Sequence, residues 1–383
     1  MKVIKRILSI RKHKTIVFAD VFDEQYNIAQ LKISNEIFSD KSLFKGDVVC
    51  FEAEVTINNR GQKVYIVSEI YKVMKPKDNS NYKQMSNQND IYKQALNGRD
   101  NLKHWEFKNI LLEEINSYLL AKKFVRIITS NIMDKRGTSI VNPIKINGTY
   151  VNDKYLKITH ELEIKKQVYL TLKSLFEIGY VSRDIYSTKK SFFEYLNLEL
   201  VSIDTDEKKL ISFYKFINDT AIKIAKELDI EYDPVFDDLK VIDVLTEYKK
   251  EHLIFEKQTY NDFYQKLKND NPNCIFTNVV ADNPFVKKGI DGLNLEIKWV
   301  INNSSVGHGY IDESDVDVII NSFKQQKEKL LEANIDSEIQ DDFVQILMDA
   351  GIDTQSLNLG IDRFIMKFLK YKSIKKSYKI LGV

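Results

Sequence analysis

The fold is decided by residues 155–204, which read YLKITHELEIKKQVYLTLKSLFEIGYVSRDIYSTKKSFFEYLNLELVSID. The pattern predicts a buried strand, an amphipathic helix and two strands joined by a basic loop, because its apolar period changes from helical to alternating. Helical spacing relates Leu162, Tyr169, Leu172 and Leu175. From Phe192 the apolar period is two, so Leu196, Leu198 and Leu200 point to one face of the predicted strand. Tyr195, Asn197 and Glu199 point to the other face. We therefore expect a β-hairpin that presents Arg183 where its first strand ends.

Composition points to a soluble intracellular enzyme of two or three domains. The chain has 383 residues, 43% of them hydrophobic, and a formal net charge of +2. Such a small charge excludes nucleic-acid binding through a global basic field, so any such binding must use local patches. Two cysteines, Cys50 and Cys274, are too few for a disulfide framework or a four-cysteine zinc site. No apolar run reaches the roughly 18 residues that span a bilayer, and the N-terminus lacks a small-residue cleavage site, so we expect a cytoplasmic protein.

Residues 1–75 are predicted to form five short strands. The strands are Lys2–Ile10, Thr15–Phe22, Tyr26–Ser34, Asp47–Asn58 and Lys63–Val73. Five strands in so short a segment predict an OB-fold β-barrel, which typically binds single-stranded nucleic acid on one face. An exposed Phe18 would stack on a base and Gln30 would hydrogen-bond a base edge, while His13 and Lys14 would meet phosphate. The alternative interpretation puts Phe18 in the barrel core and makes Gln30 a solvated strand residue.

The remainder of the chain begins with a polar segment without periodicity, residues 75–88, which predicts a linker. We divide the chain into 1–75, a linker at 76–104, and a second domain at 105–383. An amphipathic helix is predicted at Glu106–Lys122, with the stripe Phe107, Leu111, Ile115 and Leu119. Apolar runs at Cys274–Val280 and Leu293–Ile301 predict central strands of an antiparallel sheet. His308, which lies between two glycines, is interpreted as structural or exposed rather than catalytic.

The central stretch resembles motif 2 of the class II aminoacyl-tRNA synthetases, most closely that of the lysyl enzymes of subclass b. The matching residues are Glu161-Leu162, Phe176–Gly179, Arg183, Glu194-Tyr195 and Glu199. Residues 360–363, Gly-Ile-Asp-Arg, resemble motif 3, although Asn358 replaces its first glycine. The resemblance implies an α+β protein in which an OB-fold precedes a class II synthetase core, an antiparallel β-sheet with flanking helices. It also implies a homodimer through the predicted helix, which occupies the place of motif 1; the alternative is that the apolar stripe of this helix is ordinary core.

The same resemblance implies adenylate formation from ATP with Mg²⁺. It assigns Arg183 to the α-phosphate, Arg363 to the γ-phosphate end, Lys190 to ATP or the tRNA acceptor end, Tyr195 to adenine and Glu296 to a metal ion. Glu161 and Glu199 match carboxylates that line the lysine pocket, so an amine-bearing substrate is expected. In the first domain, Phe18 takes the anticodon-stacking position and Gln30 the position that reads a central uridine. The alternative for motif 3 is an ion pair between Asp362 and Arg363 at the start of a helix.

Several positions depart from the family pattern. They are Ile185 for a motif 2 glutamate, Asn303 for the second metal carboxylate, Tyr310 for the acid that binds the lysine ammonium, Val201 for a tyrosine, Ser130 for a proline and Phe22 for an arginine. Two functions therefore stay open. One is a divergent synthetase paralogue that activates a lysine-like or related amino acid and transfers it to tRNA or another acceptor. The other is a catalytically silent paralogue that binds tRNA or regulates.

The two arginines favour the first function and the lost acids favour the second. A third interpretation is an OB-fold nucleic-acid binder with an unrelated second domain. It accounts poorly for the sequence, because the matches to motifs 2 and 3 bracket most of that second domain.

Overall fold

Two units make up the chain, Met1–Trp105 and Glu106–Val383, and each is described by itself. The computed structural model describes residues 2–374 apart from 24–26, 76–87, 135–142, 151, 187, 189–191, 253, 282, 284, 290–291, 333–344 and 347–350. The side chains of residues 88–101, 323, 326–327 and 329–332 also lie outside the description. Among the described helices, none combines the length and the apolar character needed to cross a membrane.

The first unit is built on a six-stranded sheet. Its elements are β1 (Lys2–Arg6), β2 (Ser9–Lys12), β3 (Ile16–Phe22), β4 (Ile28–Ser34), α1 (Asn35–Lys41), β5 (Val48–Ile57) and β6 (Lys63–Met74), with strand order β1-β5-β6-β4-β3-β2. Alternation along β3 and β4 buries Val17, Ala19, Val21, Ala29, Leu31 and Ile33 in one core. Helix α1 was not predicted; Ser34 caps it by accepting a hydrogen bond from the backbone N–H of Ile37.

The first predicted strand is divided in the structure. Between β1 and β2, the amide of Ile7 donates to the carbonyl of Asp47 and the amide of Leu8 donates to the carbonyl of Asp20. Both side chains are buried. The chain therefore bends at this point, because β1 pairs with β5 whereas β2 pairs with β3.

The second unit is built on an eight-stranded sheet of order β13-β14-β15-β16-β17-β12-β11-β7. Its strands are β7 (Val125–Arg126), β11 (Leu175–Ser182), β12 (Glu194–Ser202), β13 (Lys240–Asp243), β14 (Asn273–Val280), β15 (Leu295–Ile301), β16 (Ser304–Ile311) and β17 (Gln355–Gly360). A separate three-stranded sheet joins β8 (Ile132–Met133), β9 (Lys145–Ile146) and β10 (Lys154–Leu156). All pairs of the large sheet are antiparallel except β13 with β14 and β11 with β7. The pair β11–β12 is the hairpin predicted from the sequence.

Helices pack against this sheet. They are α2 (Gln88–Ala121), α3 (Glu161–Thr171), α4 (Glu207–Glu227), α5 (Val244–Glu251), α6 (Lys257–Asp270), α7 (Val316–Glu332) and α8 (Ile361–Phe368). One core contains residues of α2, α4 and α8 together with Leu196, Leu198 and Leu200 of β12. Val201, on the opposite face of β12, belongs to a separate core with Ile164 and Val168 of α3. The large sheet therefore has helices on both faces, and Tyr195, Asn197 and Glu199 lie on the α3 side.

Helix α2 bears on two of the sequence predictions. It begins at Gln88, so part of the predicted linker at 76–104 is helical. Its stripe, Phe107, Leu111, Ile115 and Leu119, is buried in the core of this same chain. The stripe is thus ordinary core, and it is not a surface that a second copy could cover.

Candidate active site

Arg183 and Arg363 line one cavity of about 120 Å³. Arg183 directly follows β11, where its backbone N–H donates to the carbonyl of Phe193 at 2.7 Å and so fixes the start of the motif 2 loop. Arg363 lies in the first turn of α8, and its Nη1 donates to the carbonyl of Ser305 at 3.0 Å. Tyr195 lines the same cavity. The structure therefore brings together three of the residues assigned to ATP.

The two guanidinium groups are cations without a carboxylate partner among the described residues. The carbon of the Arg183 guanidinium lies 5.3 Å from the centre of the Tyr195 ring, and Arg183 Nε is buried without a hydrogen-bond partner. Burial lowers the pKa of Arg363, and the positive charge of Arg183 lowers it further. A buried donor left without an acceptor costs about 1–3 kcal/mol unless a ligand supplies the acceptor. The cavity therefore fits a phosphate-bearing ligand, since phosphate oxygens accept from both arginines.

Gly307 forms part of the floor of this cavity. A Cβ atom at this position would lie 2.9 Å from the carbonyl oxygen of Asn358 and 2.9 Å from Cε1 of Tyr214. The first neighbour is backbone of the adjacent strand and the second belongs to the fully buried Tyr214 of α4. Neither can move cheaply, so only glycine permits this approach of β16, β17 and α4.

A second, much smaller cavity of about 10 Å³ lies between Glu161 and Glu199. His308 and Asn358 line both cavities. The sequence interpretation of His308 as structural or exposed missed this placement. The signal that could have found it is the period of two along β16, which puts His308 on the same face as Tyr310. The two rings are parallel at 6.1 Å.

Glu199 is a buried carboxylate bound by neutral donors. Its Oε1 accepts hydrogen bonds from Thr159 Oγ1 at 2.7 Å, Asn197 Nδ2 at 2.9 Å and Asn358 Nδ2 at 2.7 Å. Its Oε2 accepts from the backbone N–H of His160. No lysine, arginine or histidine of the described chain pairs with it. Glu199 therefore brings an uncompensated negative charge to the edge of the small cavity.

Glu161, by contrast, already has a cation. Lys165 Nζ lies 2.6 Å from Glu161 Oε1 and 2.9 Å from Asp312 Oδ1, and the Tyr310 hydroxyl also donates to Glu161. Burial alone would raise the pKa of Glu161, but Lys165 and Tyr310 outweigh it and the pKa is lowered. The Lys165 side chain is almost fully buried, and its ammonium sits 4.0 Å from the centre of the Phe285 ring. Of the two carboxylates assigned to the substrate, Glu161 is thus neutralised by Lys165, whereas Glu199 has no cation among the described residues.

The expected magnesium ligands are not gathered in the structure. Glu296 lies on β15, where its Oε1 is 2.7 Å from Lys298 Nζ, and it lines neither cavity. Asn303 occupies the two-residue turn between β15 and β16 with φ 60°, next to Asn302 with φ 45°. Such a turn requires positive φ at both residues, which asparagine tolerates well. Within the described ranges no group of three or more His, Cys, Asp or Glu side chains is placed to hold a metal ion, and Glu296, the carboxylate assigned to Mg²⁺, is already paired with Lys298.

Two further motif 2 positions complete the comparison with the sequence. Lys190, assigned to ATP or the tRNA acceptor end, lies outside the described residues. Ile185 lines the cavity that contains Arg183 and Arg363, and it places an apolar side chain where motif 2 has a glutamate.

Asp362 does not pair with Arg363. It is fully buried, and its oxygens lie 2.7 Å from Lys108 Nζ of α2 and 2.7 Å from the backbone nitrogen of Leu196 on β12. The alternative reading of motif 3 as an Asp362–Arg363 ion pair is therefore wrong. Asp362 fixes the start of α8 through these contacts. The Arg363 side chain is not paired with Asp362 and lines the cavity.

A buried network around Glu177 was not anticipated from the sequence. Glu177 Oε1 lies 2.8 Å from Lys157 Nζ, and its Oε2 accepts from Thr129 Oγ1 at 2.6 Å. His160 Nδ1 is 3.2 Å from the same carboxylate, an electrostatic contact without full hydrogen-bond geometry. Burial would raise the pKa of Glu177, but His160, Lys157 and Thr129 together lower it to about 2. The network connects the segment between β10 and α3 to Glu177 of β11.

This depressed pKa predicts acid sensitivity. A carboxylate with a folded pKa of about 2 and an unfolded value of 4.5 contributes its stability above pH 4.5 and loses it as the pH falls toward 2. We expect a loss of about 2 kcal/mol between pH 4.5 and 2.5. Thermal unfolding of the wild type and of Glu177→Gln across this range measures it. Because the amide does not titrate, the two proteins should converge in stability at low pH, and parallel curves would contradict the assignment.

In the first unit, Phe18 and Gln30 line a groove of about 500 Å³ together with Arg11, His13, Asn58, Asn59, Arg60 and Gln62. Phe18 is half-buried, whereas its neighbours Val17 and Ala19 fill the core, so the alternative that assigned Phe18 to the core is wrong. The His13 ring meets Phe18 edge-on at 5.5 Å. Arg60 was missed as a groove residue; the available signal was the turn-forming sequence Asn59-Arg60-Gly61, which places Arg60 between two strands.

Comparisons with known proteins agree with this geometry. A family model described as tRNA synthetases class II (D, K and N) matches residues 83–378. The lysine–tRNA ligase of Saccharolobus solfataricus is 23% identical over 97% of this chain and 85% of that protein, and that of Enterococcus faecalis is 21% identical over 97% and 84%. The asparaginyl-tRNA synthetase of Pyrococcus horikoshii, solved with asparaginyl-adenylate, superposes with a TM-score of 0.74 at 14% identity, covering 98% of this chain and 93% of that one. The structural likeness concerns the fold, which is the α+β class II synthetase fold.

Proposed function

The chain belongs to the class II tRNA synthetases of the D, K and N group, and from this premise we propose that it activates an amino acid with ATP and transfers it to tRNA or another acceptor. The observation that carries the proposal is the pair of arginines, Arg183 and Arg363, which line one cavity without a carboxylate partner among the described residues. Two uncompensated cations beside an aromatic ring fit a nucleoside triphosphate.

In the proposed reaction, a carboxylate oxygen of the amino acid attacks the α-phosphorus of ATP. The new bond forms an aminoacyl adenylate, the bond from the α-phosphorus to the bridging oxygen breaks, and pyrophosphate leaves with that electron pair. Arg183 stabilises charge on the α-phosphate, Arg363 binds the γ-phosphate end and Tyr195 contacts the adenine. Class II synthetases generally use Mg²⁺, but the described residues do not form its site, and no step is assigned to it.

Pyrophosphate exchange tests the proposal. Labelled pyrophosphate should enter ATP only when a suitable amino acid is added, and a panel of amino acids identifies it. Calorimetry with ATP is run alongside. ATP binding without exchange for any amino acid would contradict the proposed activation and favour the silent alternative.

The silent alternative also has support. Glu296 is paired with Lys298, Asn303 is committed to a turn and Ile185 brings an apolar group to the nucleotide cavity. A paralogue that lost catalysis would keep the fold and the first unit for binding tRNA or for regulation. Its discriminating property is tRNA binding that persists when exchange is absent.

For residues 1–75 we propose an OB-fold barrel. The bent segment β1–β2 supports it. Its first half pairs with β5 and its second half with β3, so this one segment would connect the two edges of the sheet and close it into a barrel. We keep 105–383 as the catalytic domain and 76–104 as the connection, of which residues 88–104 belong to α2. We also propose a cytoplasmic location, because an enzyme that charges tRNA works where tRNA is used.

The groove with Phe18 and Gln30 leads to a prediction for tRNA. Stacking of one base on an aromatic ring contributes roughly 1–3 kcal/mol, so Phe18→Ala should lower tRNA affinity about tenfold or more. Gln30→Ala should chiefly relax discrimination at the central anticodon base, which we propose to be uridine. Filter binding with anticodon variants measures both effects. Phe44→Ala, which removes an exposed aromatic outside the groove, is the control; indifference of the intact protein to the central base would refute the assignment.

A homodimer is proposed through the end of α2 and the sheet edge at β7. Three apolar residues there are exposed, Leu120, Val125 and Ile128, and β7 is an edge strand. Light scattering at micromolar concentration should give twice the single-chain mass. A mass near 44.8 kDa would rule the dimer out, and Val125→Lys with Ile128→Lys should dissociate it.

A further inference from the structure

A cavity of about 550 Å³ lies in the second unit, at the far end of the strands that carry Arg183 and Tyr195. It is lined by residues 122–124, 172–174 and 202–204, and we call it the distal cavity. Tyr195 of the nucleotide cavity and Ser202 of the distal cavity lie at the two ends of β12, roughly 23 Å apart along the strand. Small-molecule sites typically have volumes of about 300–1,000 Å³, so the distal cavity has the size of such a site.

The walls of the distal cavity are apolar. Leu119 of α2, Leu200 of β12 and Phe213 of α4 line it and belong to the buried core of the second unit. Leu172 and Ile203 also line it, but about half of each side chain is exposed. An apolar group bound in the distal cavity would cover both side chains and remove them from water, which favours binding.

One buried polar group in the distal cavity lacks a partner. Gln355, the first residue of β17, is almost completely buried, and its Oε1 accepts no hydrogen bond from the part of the chain that the structure describes. Its neighbour across the sheet, Ser202, is engaged elsewhere: the Ser202 hydroxyl accepts from the backbone N–H of Asp204 and contacts the hydroxyl of Ser174. A buried acceptor without a donor is unfavourable. A ligand that brings an O–H group to Gln355 Oε1 would therefore be stabilised there.

The rim of the distal cavity is positively charged. Four lysines line it: Lys122 and Lys123 after the end of α2, Lys173 after the end of α3, and Lys209 on α4. Of these four, Lys209 alone has a carboxylate partner within the described ranges, Asp204. Because Asp204 is the one acid of the lining, the side chains carry a net charge of +3. The carboxyl ends of α2 and α3 each contribute about half a negative charge, which leaves the rim positive.

We propose that the distal cavity binds a small amphipathic carboxylate, with an aromatic or cyclic aliphatic body and a hydroxyl group at the end remote from the carboxylate. The carboxylate binds the lysines of the rim. The body packs against Leu172, Ile203 and the apolar walls, and the hydroxyl donates to Gln355 Oε1. No residue of the distal cavity lines the cavity of Arg183 and Arg363, so this ligand is distinct from ATP and from the amino acid activated with it.

A second copy of this chain fits the distal cavity less well. In a twofold dimer the same surface of both copies meets, so the lysines of one rim would face the lysines of the other. Like charges repel, whereas a carboxylate compensates the excess positive charge. A dimer through Leu120, Val125 and Ile128 is therefore expected to leave the distal cavity open.

Nuclear magnetic resonance titration of the full chain tests the site with three acids of increasing length. They are 4-hydroxyphenylacetate, 3-(4-hydroxyphenyl)propionate and 4-(4-hydroxyphenyl)butyrate. At least one should bind, and its uncharged amide and its 4-methoxy analogue should each bind about tenfold more weakly, because each lacks one of the two proposed polar contacts. Absence of binding by all three acids at millimolar concentration overturns the proposal. So does equal binding of an acid and its amide.

Two variants locate the bound acid. Gln355→Met keeps the volume and removes the acceptor, so it should weaken the hydroxy acid about tenfold and leave the methoxy analogue unchanged. Lys122→Glu with Lys173→Glu should weaken the acid about tenfold or more without affecting its amide. Lys215→Glu, at an exposed position of α4 outside the cavity, is the control and should bind the acid as the wild type does. Thermal unfolding establishes that each variant is folded.

Two other results would place the ligand or the surface elsewhere. Acid binding that is lost in Arg183→Ala with Arg363→Ala, but kept in the double lysine variant, would mean that the acid occupies the nucleotide cavity. A wild-type dimer that binds no acid, and that the double lysine variant dissociates in light scattering, would mean that a second copy covers the distal cavity. Either result overturns the proposal. If Gln355→Met fails to fold, the double lysine variant, whose substitutions are both exposed, still decides it.

Discussion

Replacement of Arg183 and Arg363 together by alanine is expected to weaken ATP binding by more than a hundredfold. A hydrogen bond to a charged group contributes about 1.5–3 kcal/mol, and the two guanidiniums serve opposite ends of the proposed triphosphate site. Each single variant should therefore lose about ten- to a hundredfold. The effects should be close to additive if the two cations bind different phosphates.

Calorimetric titration with ATP measures this loss. Lys223→Ala is the control, since Lys223 is an exposed cation on α4 and lines neither cavity. The control should bind ATP as the wild type does. Unchanged affinity in the double variant would remove the nucleotide site from this cavity and with it the observation that carries the proposed function.

Replacement of Lys165 by methionine is expected to destabilise the second unit by about 3–5 kcal/mol at neutral pH. Methionine fills a similar volume but leaves Glu161 and Asp312 as buried carboxylates without a cation, and an uncompensated buried charge carries a penalty of this size. Burial already raises the pKa of Asp312, and Lys165 opposes that rise. Without Lys165 the folded pKa should rise further, so the penalty should shrink as the pH is lowered and the folded variant takes up a proton.

Denaturation followed by tryptophan fluorescence checks this, because Trp299 is buried in the core of the second unit. Lys223→Met is the control: Lys223 and Glu227 form an exposed pair at 3.8 Å on α4. Removing such a pair should change stability by less than about 0.5 kcal/mol. A Lys165→Met protein as stable as this control would mean that Glu161 and Asp312 are not held as buried charges.

The sequence was most informative where a local period coincides with a motif. The alternation at Leu196, Leu198 and Leu200 predicted the hairpin and its buried face, and the motif matches predicted that Arg183 and Arg363 would meet. Both rest on information within short segments. The bend at Ile7 and Leu8 and the strand β13 were not predicted, because each depends on pairing with a partner strand distant in sequence.

Buried charges were the main feature that the sequence concealed. Lys165, Lys157 and Lys108 each pair with a carboxylate inside the second unit, and none of these pairs was predicted from the sequence. The local sequence around a lysine does not show which carboxylate it will contact in the folded protein. The same holds for Glu296, whose expected role as a metal ligand gave no warning of the neighbouring Lys298. The sequence showed that Asn303 replaces a carboxylate of the family pattern. Only the structure showed that Asn303 lies in a turn that requires a positive φ.

Gly307 has a consequence for how natural variation in this chain would be interpreted. Only glycine fits at this position, because a Cβ atom would clash with the carbonyl of Asn358 and with the ring of Tyr214. This requirement holds whether or not the neighbouring cavity is catalytic. A lineage that abandoned catalysis would still be under purifying selection at this codon, while Arg183 and Arg363 would be free to drift. Among descendants of this gene, persistence of the glycine is therefore uninformative about activity. The ratio of change at the two arginines to change at Gly307 would distinguish an enzyme under selection from a retained scaffold.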